Sequence, residues 1–470
     1  MTIAGFWRTV VDRLVAFDGR CLIAVITAGV AIACVLPLTK VIRVEWAAVR
    51  QTIDGFGAAT NEAGFLEPLP DSVMDFFYTS NGIGLTLLRI RSYPSVSACE
   101  EDSGAGACVP SASGTVLASD LATARKAVAR GATVWSSQWS PPGSMKTNGS
   151  FTKGGAMIGS SSNYTALAAM FATFVTLMRS NGVPIYALSP QNEPDMSKWY
   201  PSATWTPQQI HDFIPYLHNA FEAAAVTNTK IVIAEQSSWE PRLRLWRDSF
   251  SYAADAMKDA SVAAQVGILA AHNYDYRDPS GPPSMPNFTA QRVWQTEVST
   301  FENYDGSLTN ALRWAQSIHA FLSTARVNAF HYWYLTAAPN KTDNEALTDL
   351  SGRVALRAYA IGNWSKFVRP GWHAVGVTNS SPLLVTAFQS DTGTQSAIVV
   401  VNNRSVPLTD QPFEVGTGME RSVTPWITSS ASLLTPESPV TVTDGRFSCT
   451  IPGRSIVTFV GQRGSPAAVP

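Results

Sequence analysis

Short apolar runs alternate with amphipathic stretches through the middle of the chain, from about residue 80 to residue 335. The runs have the length of buried strands, and the stretches between them carry apolar residues near i, i+3, i+4 and i+7, as on one face of a helix. The predicted strands are GIGLTLLRI, GATVWSSQWS, VPIYALSP, TKIVIAEQ, VGILAAHNY, RVWQTEVS and VNAFHYWYL. The segment IDGFGAAT is a candidate eighth strand.

This repeated alternation predicts an α/β fold, a (β/α)8 TIM barrel over residues 54–370. A region of roughly 250 residues is the usual size of such a barrel. A doubly wound open sheet is the alternative, but the sequence lacks the glycine-rich phosphate-binding turn that is typical of that fold.

The pattern changes after about residue 372, where short strands of alternating polarity are separated by Gly, Asn, Asp and Pro turns. This pattern is typical of an antiparallel β-sandwich, predicted here over residues 371–462. The early strand at 41–53 is expected to cross over and join the sandwich. The tail at 463–470 is predicted to be disordered.

The N-terminal region carries an uncharged stretch at residues 21–38, preceded by Arg8, Arg13 and Arg20. This arrangement favours an export signal or a membrane anchor over residues 1–40, with a buried core helix as the alternative. The protein is therefore expected to be exported: secreted, periplasmic or anchored at the cell surface.

The composition is that of a soluble globular protein, with 45% hydrophobic and 15% charged residues and a formal net charge of -1. This near-neutral balance gives no reason to expect nucleic acid as a partner. The 14 Trp and 13 Tyr suit both core packing and stacking on the C–H faces of sugar rings. A monomer is expected.

Cys99 and Cys108 flank a short loop that a disulfide could close in an oxidising compartment, while Cys449 is left over. No Cys/His spacing resembles a metal site. We therefore expect neither a metal nor a cofactor.

Two glutamates end predicted strands. Glu193 follows VPIYALSP, and Glu297 closes RVWQTEVS. Carboxyl ends of barrel strands meet at one mouth, so the two carboxyl groups are expected to face each other. Glycoside hydrolysis needs such a pair, in which one carboxyl protonates the leaving oxygen and the other attacks the anomeric carbon or activates water.

Three polar residues near strand ends fit the same chemistry. Asn192 could bind a ring hydroxyl, and Arg89 is a cation on an otherwise apolar strand that could stabilise ionised Glu297. Tyr274 could donate a hydrogen bond to the nucleophile.

Aromatic residues at strand ends are candidate sugar platforms, namely Trp139 and Trp333, with packing at the barrel mouth as the alternative. His272 is interpreted as a residue that satisfies a local hydrogen bond rather than as a base.

These residues lie in motifs that resemble glycoside hydrolase family 30, a family of retaining enzymes in the large (β/α)8 clan. The motifs occur in family order from about residue 45 to residue 460, and the C-terminal stretches are nearest to the bacterial xylan-cleaving branch. The matching motifs are QTIDGFGAAT, LLRI, QWSPPGSMKTNG, YALSPQNEPD, VWQTEVS, NWSKFVRPGW and PWITSSASLL.

The resemblance implies that Glu193 is the acid/base and Glu297 the nucleophile. It also implies a −1 subsite lined by Arg89, Trp139, Asn192, Tyr274 and Trp333. One departure concerns the last barrel strand, where glucuronoxylanases of the family carry an arginine that grips a glucuronate side group. Here Leu335 and Thr336 occupy that region, and Lys341, further along the chain, is a weak candidate to replace the arginine.

The function expected from these observations is that of a retaining endo-β-glycanase, with xylan-type hemicellulose as the leading substrate. The alternatives are an exo-acting β-glycosidase on xylosides, fucosides or glucosylceramide, and a β-1,6-glucanase or galactanase. A non-catalytic surface glycan-binding protein is a more remote alternative.

Overall fold

The computed structural model describes residues 22–26, 29–33, 40–61, 67–103, 108–110, 114–239, 250–274, 291–337, 342–349, 351–416 and 419–463. The helices are α1 (Asp71–Tyr78), α2 (Val96–Ser103), α3 (Ala118–Val128), α4 (Ser161–Ser180), α5 (Pro207–Ala223), α6 (Ala254–Lys258), α7 (Ala260–Ala263), α8 (Leu308–Ala320) and α9 (Leu356–Ser365). Short helical turns are Gly143–Met145, Ser251–Ala253 and Phe321–Ala325.

The strands before and within the barrel region are β1 (Leu22–Ile26), β2 (Gly29–Ala33), β3 (Ile42–Thr52), β4 (Gly55–Asn61), β5 (Leu87–Ser92), β6 (Cys108–Pro110), β7 (Thr115–Leu117), β8 (Thr133–Gln138), β9 (Ile185–Ser189), β10 (Lys230–Gln236), β11 (Val266–Ala271), β12 (Arg292–Gln295), β13 (Ala329–Ala337) and β14 (Ala346–Asp349). The later strands are β15 (His373–Asn379), β16 (Leu384–Gln389), β17 (Gln395–Asn402), β18 (Leu408–Glu414), β19 (Met419–Thr428), β20 (Leu433–Pro436), β21 (Val440–Thr441), β22 (Arg446–Ile451) and β23 (Ser455–Arg463).

Eight parallel strands close into a barrel in the order β4-β5-β8-β9-β10-β11-β12-β13, and β13 pairs back with β4. The predicted (β/α)8 barrel is confirmed, and the open sheet is excluded because β12 and β13 are hydrogen-bonded. IDGFGAAT supplies the eighth strand, β4. The pattern did not predict β14, which extends the sheet outside the closed barrel by pairing with the end of β13.

Two helices around the barrel, α4 and α5, start at residues whose side chains satisfy free N–H groups of the first turn. Ser160 caps α4 by accepting from the backbone N–H of Asn163. Thr206 and Gln209 form a reciprocal capping box at the start of α5, with Pro207 as the first helical residue. These local signals agree with the helical periodicity of the stretches that follow them.

The barrel interior below the mouth is filled by aromatic rings. Trp135 and Trp294 are wholly buried and meet edge to face, with ring centroids 5.7 Å apart. Trp135 Nε1 donates to His331 Nε2 at 3.0 Å, and burial lowers the pKa of His331 to about 3, so this imidazole is neutral. This packed layer is a rigid floor for the groups above it.

The second domain is a ten-stranded sheet in the order β20-β19-β23-β17-β16-β15-β3-β18-β22, with β21 beside β19. All its pairs are antiparallel except β3 with β18. Phe459 of β23 contacts Phe413 of β18 and Phe447 of β22, although these strands lie far apart in the sheet order. The sheet is therefore folded over on itself, with a sandwich-like core, and β3 from the N-terminal side lies inside it.

Helix α9 joins the barrel to this sheet. Trp364 is wholly buried, and its Nε1 donates to Thr386 Oγ1 of β16 at 3.0 Å. Asn363 binds Thr428 of β19 and Thr458 of β23. These hydrogen bonds are buried, and each joins a side chain of α9 to a strand of the sheet. They therefore fix the orientation of the sheet on the barrel.

The apolar N-terminal stretch is described only in part, as the antiparallel pair β1 and β2. Over the residues that the structure describes, no helix is both long and apolar enough to cross a membrane. Most of residues 1–39 and the tail from 464 onward lie outside the described residues, so the export segment and the disordered tail stay predictions.

Candidate active site

Glu193 and Glu297 face each other at the barrel mouth. Glu193 follows β9 and Glu297 follows β12, and their exposed fractions are only 7% and 4%. One carboxylate oxygen from each of these residues and one ring nitrogen of His272 lie within 4.8 Å of one another. The fold therefore brings together two strand-end carboxyl groups that are far apart in the sequence.

The carboxylate of Glu297 is held through both oxygens. Tyr274 donates its hydroxyl to Oε1 at 2.6 Å, and Arg89 Nη1 donates to Oε2. Burial, followed by the charges of Glu297 and Glu193, raises the pKa of Tyr274 well above its ordinary value, so this hydroxyl stays a donor. Two donors on one carboxylate fix its orientation.

The backbone of Glu193 adopts an unusual conformation, with φ of 45°. Its N–H donates to the carbonyl of Glu235 at 3.0 Å, while the N–H of Asn192 donates to the carbonyl of Gln138 at 2.8 Å. A left-handed conformation is costly for a residue with a side chain. Hydrogen bonds to both neighbouring strand ends hold the segment there and direct Glu193 into the mouth.

Arg89 is completely buried and connects the two halves of the site. Its Nη1 donates to Glu297, while its Nη2 donates to Asn192 Oδ1 at 2.6 Å and to Glu235 Oε1 at 2.7 Å. Its guanidinium carbon lies 4.6 Å from the centre of the Trp139 ring. Burial alone would lower the pKa of Arg89, but the charges of Glu235 and Glu297 raise it above the ordinary value.

Glu235 is a third strand-end carboxylate, which the sequence interpretation did not select. It is completely buried, with Ser137 Oγ donating to Oε2 at 2.7 Å. Burial alone would raise its pKa, but Arg89 and His272 lower it below the ordinary value, so Glu235 is ionised. A usable signal was present, because Glu235 closes TKIVIAEQ as Glu297 closes RVWQTEVS.

His272 lies between the three carboxylates. Its Nδ1 is 3.1 Å from Glu193 Oε1 and 3.6 Å from Glu297 Oε1, and its Nε2 is 3.7 Å from Glu235 Oε1. Burial alone would lower the pKa of His272, but the charge of Glu297 and the hydrogen bond with Glu193 raise it to about 10. The imidazole is therefore cationic near neutral pH and acts as a donor, not as a base.

The three groups Glu193, His272 and Glu297 also have the spacing of metal ligands. A metal would need a neutral imidazole, whereas His272 carries its proton. It would also have to compete with Arg89 and Tyr274 for the oxygens of Glu297. The donor set therefore fits a hydrogen-bonded cluster of charges better than a metal centre.

Aromatic side chains form the wall beside this cluster. The rings of Trp139 and Trp333 lie 6.0 Å apart at 33°, and Trp333 stacks on Tyr334 at 4.0 Å. Arg89 lies against both indoles. All seven residues expected at the site, including both glutamates, thus lie at one mouth of the barrel.

Tyr200 was not selected from the sequence and also faces the pair. Burial, and after it the charges of Glu193 and Glu297, raise the pKa of its hydroxyl. No motif marks this residue, because it lies in an irregular loop rather than at a strand end.

The loop after β5 carries the disulfide, between Cys99 and Cys108. On the last barrel strand, Leu335 and Thr336 are wholly buried, and Thr336 Oγ1 lies 3.0 Å from Thr348 Oγ1 of β14. Lys341, the distant substitute for the absent arginine, lies outside the described residues.

Comparison with known proteins places these observations in a family. The model of the glycosyl hydrolase family 30 TIM-barrel domain matches residues 119–291. Glucuronoxylanase XynC of Bacillus subtilis (strain 168) is 30% identical over 363 residues, which covers 73% of this chain and 77% of that protein.

Two solved structures have the same fold over most of this chain. The family 30 subfamily 8 xylanase Xyn30A of Clostridium acetobutylicum matches with a TM-score of 0.75 and 29% identity, over 90% of this chain and 99% of that one. A family 30 endoxylanase of Clostridium papyrosolvens C71 matches with a TM-score of 0.70 and 26% identity, over 90% and 100% of the two chains. The chain therefore belongs to glycoside hydrolase family 30 and is a glycoside hydrolase.

Proposed function

We propose that this protein is a retaining endo-β-glycanase that cleaves xylan-type hemicellulose by double displacement. Xylan is supported as the substrate by the similar proteins, which are named as a glucuronoxylanase, a xylanase and an endoxylanase. The site of this protein holds two nearly buried carboxyl groups beside an aromatic wall, which fits the cleavage of a glycosidic bond.

The separation of the two glutamates carries the retaining assignment. Retaining enzymes hold their carboxyl groups about 5–5.5 Å apart, and inverting enzymes about 6.5–9.5 Å apart to leave room for a water molecule. An oxygen of Glu193 lies within 4.8 Å of an oxygen of Glu297. This limit applies to the nearest oxygens of the two carboxyl groups, and so short a gap favours direct attack by one carboxylate on the sugar.

In the first step, an oxygen of Glu297 attacks the anomeric carbon while Glu193 gives its proton to the leaving oxygen. The bond between the anomeric carbon and that oxygen breaks, which leaves a glycosyl ester on Glu297. In the second step, Glu193 takes a proton from water, the water oxygen attacks the anomeric carbon, and the ester bond to Glu297 breaks. Each step leaves the pair ready for the next.

The surrounding residues have separate tasks in this scheme. Arg89 and Tyr274 orient the attacking carboxylate through their hydrogen bonds to Glu297. Arg89 also donates to Asn192 Oδ1, which leaves the amide NH2 of Asn192 as the group that donates to a sugar hydroxyl in this proposal. His272 offers a positive charge between the two carboxylates, which moderates their repulsion when both are ionised.

We further propose that cleavage does not require a glucuronate side group. The region of the last barrel strand where glucuronoxylanases carry their arginine holds Leu335 and Thr336, and both are wholly buried. Neither offers a positive charge for a carboxylate on the substrate.

Export of the protein is a separate proposal. It is supported by the apolar N-terminal stretch and by the disulfide between Cys99 and Cys108, a bond that persists in oxidising compartments. Detection of the protein only inside cells of its source organism would contradict export.

The function is tested by product analysis. The full chain is incubated with glucuronoxylan, arabinoxylan, β-1,6-glucan, β-1,6-galactan and aryl glycosides, with the Glu297→Ala protein as the blank. A ladder of oligosaccharides from both xylans supports the proposal. Release of single sugars alone would favour an exo-glycosidase, and a ladder from a β-1,6-linked polymer would replace xylan as the substrate.

The stereochemistry is followed in the same reaction by proton NMR at early times. The β anomer is expected first, because two displacements restore the configuration. Initial release of the α anomer would rule out the retaining mechanism.

A further inference from the structure

Two aromatic side chains at the barrel mouth are largely exposed to solvent. Trp199 is 82% exposed and Phe301 is 64% exposed, and they are the two aromatic residues among the exposed large hydrophobic side chains of the described part of the chain. Trp199 lies in the loop that follows Glu193, and Phe301 in the loop that follows Glu297. Exposed apolar rings beside a cleft commonly mark a binding surface.

The two rings are associated with different members of the catalytic pair. Phe301 stacks on Tyr274 at 5.9 Å, and Tyr274 holds the nucleophile, so Phe301 lies on the side of Glu297. Trp199 contacts Tyr200 edge to face at 5.5 Å, in the loop that continues from Glu193. Since Glu193 protonates the leaving oxygen, the loop of Trp199 borders the leaving part of the substrate.

The turn that carries Trp199 is held from both sides. Ser202 Oγ accepts from the N–H of Lys198 at 3.0 Å and lies 3.1 Å from the carbonyls of Lys198 and Tyr200. The carbonyl of Ser202 accepts from Lys146 Nζ at 2.7 Å.

Lys146 anchors this turn to the loop after β8. It is only 2% exposed, and its Nζ also binds Ser140 Oγ at 2.9 Å and the carbonyl of Phe151 at 3.1 Å. A rigid support lowers the entropy that a ligand would otherwise lose on binding. The backbone that carries the exposed indole is therefore held in place.

We infer that Trp199 is a sugar-stacking platform of an outer subsite, which binds the β-linked chain beyond the cleaved bond on the leaving-group side. The inference rests on the proposed function and extends it, because a platform there favours an internal cut in a long chain. The flat apolar face of an indole matches the C–H face of a pyranose ring, and stacking buries both from water.

The test compares substrates that differ in the length of the leaving group. Rates are measured on β-1,4-xylotriose to xylohexaose and on 4-nitrophenyl β-xylotrioside, whose leaving group ends at the first position beyond the cleaved bond. For Trp199→Ala, kcat/KM on xylohexaose should fall roughly tenfold, while the aryl substrate should change less than about twofold. Trp199→Phe should retain most of the activity on xylohexaose.

Two controls separate the platform from a general defect. Leu433→Ala alters an exposed side chain of the sheet domain, 47% exposed, and should leave both substrates unaffected. The melting temperature of Trp199→Ala should match the wild type, because the replaced ring has few protein contacts to lose.

The outcomes are distinguishable. Suppose that the wild type cleaves xylohexaose and that kcat/KM of Trp199→Ala depends on xylo-oligosaccharide length as in the wild type. This result would overturn the platform but not the proposed function. Equal losses on the aryl substrate and on xylohexaose would also overturn it, since the defect would then lie in the catalytic pair. A wild type that cleaves no xylan substrate would overturn the proposed function together with this subsite.

Discussion

Arg89 Nη2 and Glu235 Oε1 form an ion pair of 2.7 Å between two side chains that are both completely buried. The same guanidinium also binds the carboxylate of Glu297. Glu235 therefore balances the charge of Arg89 beneath the site, and the Arg89 guanidinium stays oriented toward the carboxylate of Glu297.

Replacing Glu235 by Gln should destabilise the fold and reduce turnover. The change removes one of the two carboxylates that bind the buried guanidinium of Arg89. Breaking a buried ion pair in this way lowers the free energy of unfolding by about 3–5 kcal/mol. Unfolding in denaturant measures the loss. As a matched control, Glu302→Gln removes the exposed pair with Arg313, at 2.8 Å, and should cost less than about 1 kcal/mol.

The same variant should change how the free energy of unfolding depends on pH under acidic conditions. The folded-state pKa of Glu235 is lowered below 4.5, so its contribution is complete above pH 4.5 and is lost as the pH falls below that value. As the pH falls below 4.5, the free energy of unfolding should therefore decrease more in the wild type than in Glu235→Gln. If the free energy of unfolding falls equally steeply with decreasing pH in both proteins, this would contradict an ionised Glu235.

His272 should make stability decrease with pH on the alkaline side. Its pKa is raised from 6.5 to about 10 in the folded state, so its contribution is complete below pH 6.5 and is lost as the pH rises toward 10. The His272→Gln variant should lack this decline when the free energy of unfolding is measured from pH 6.5 to 10.

His319 is the natural contrast for this measurement. Burial lowers its pKa to about 4, so its contribution increases between pH 4 and 6.5 and is constant above that range. His319→Gln should therefore leave the alkaline slope intact. If the alkaline decline in the free energy of unfolding disappears in His319→Gln and persists in His272→Gln, this would contradict the assignment of the charge to His272.

Removing the hydroxyl of Tyr274 should slow the chemistry without unfolding the protein. Tyr274→Phe deletes the 2.6 Å hydrogen bond to Glu297, and a bond to a charged group contributes about 1.5–3 kcal/mol, or roughly 10- to 100-fold in kcat. Steady-state kinetics on xylan gives the value. Tyr332→Phe is the control, because its buried hydroxyl donates to the carbonyl of Asn344 and should affect stability rather than kcat.

Reduction of the disulfide should lower thermal stability. Closing a loop of this length by the bond between Cys99 and Cys108 contributes about 2–3 kcal/mol in the chain-entropy model. Melting temperatures with and without a thiol reductant should differ in the wild type and in Cys449→Ser, which removes the one free cysteine of the described residues. In Cys99→Ser/Cys108→Ser the difference should vanish.

The strand-end positions of Glu193 and Glu297 could be predicted because they depend on local pattern. An apolar run that ends in a carboxylate indicates a strand whose end faces the barrel mouth, and this rule found Glu193 and Glu297. Glu235 ends a run of the same kind, yet it is not among the predicted site residues. Its importance depends on a partner 146 residues away, and no local pattern reveals that Arg89 lies beside it.

Tyr200 and Trp199 show the opposite case. They lie in a loop without regular periodicity, so the sequence contains no signal for their direction. Only the folded loop, held by Ser202 and Lys146, shows that Tyr200 lies near the two carboxylates while Trp199 is exposed to solvent.

The sequence by itself determined the eight-stranded barrel, the β-rich second domain and the family, because periodicity and ordered motifs are properties of neighbouring residues. The tertiary structure decided the distance between Glu193 and Glu297, the cationic state of His272 and the burial of the pair of Arg89 and Glu235. These quantities depend on charge and dielectric at sites where strands from distant parts of the chain meet, and they exist only once the barrel has closed.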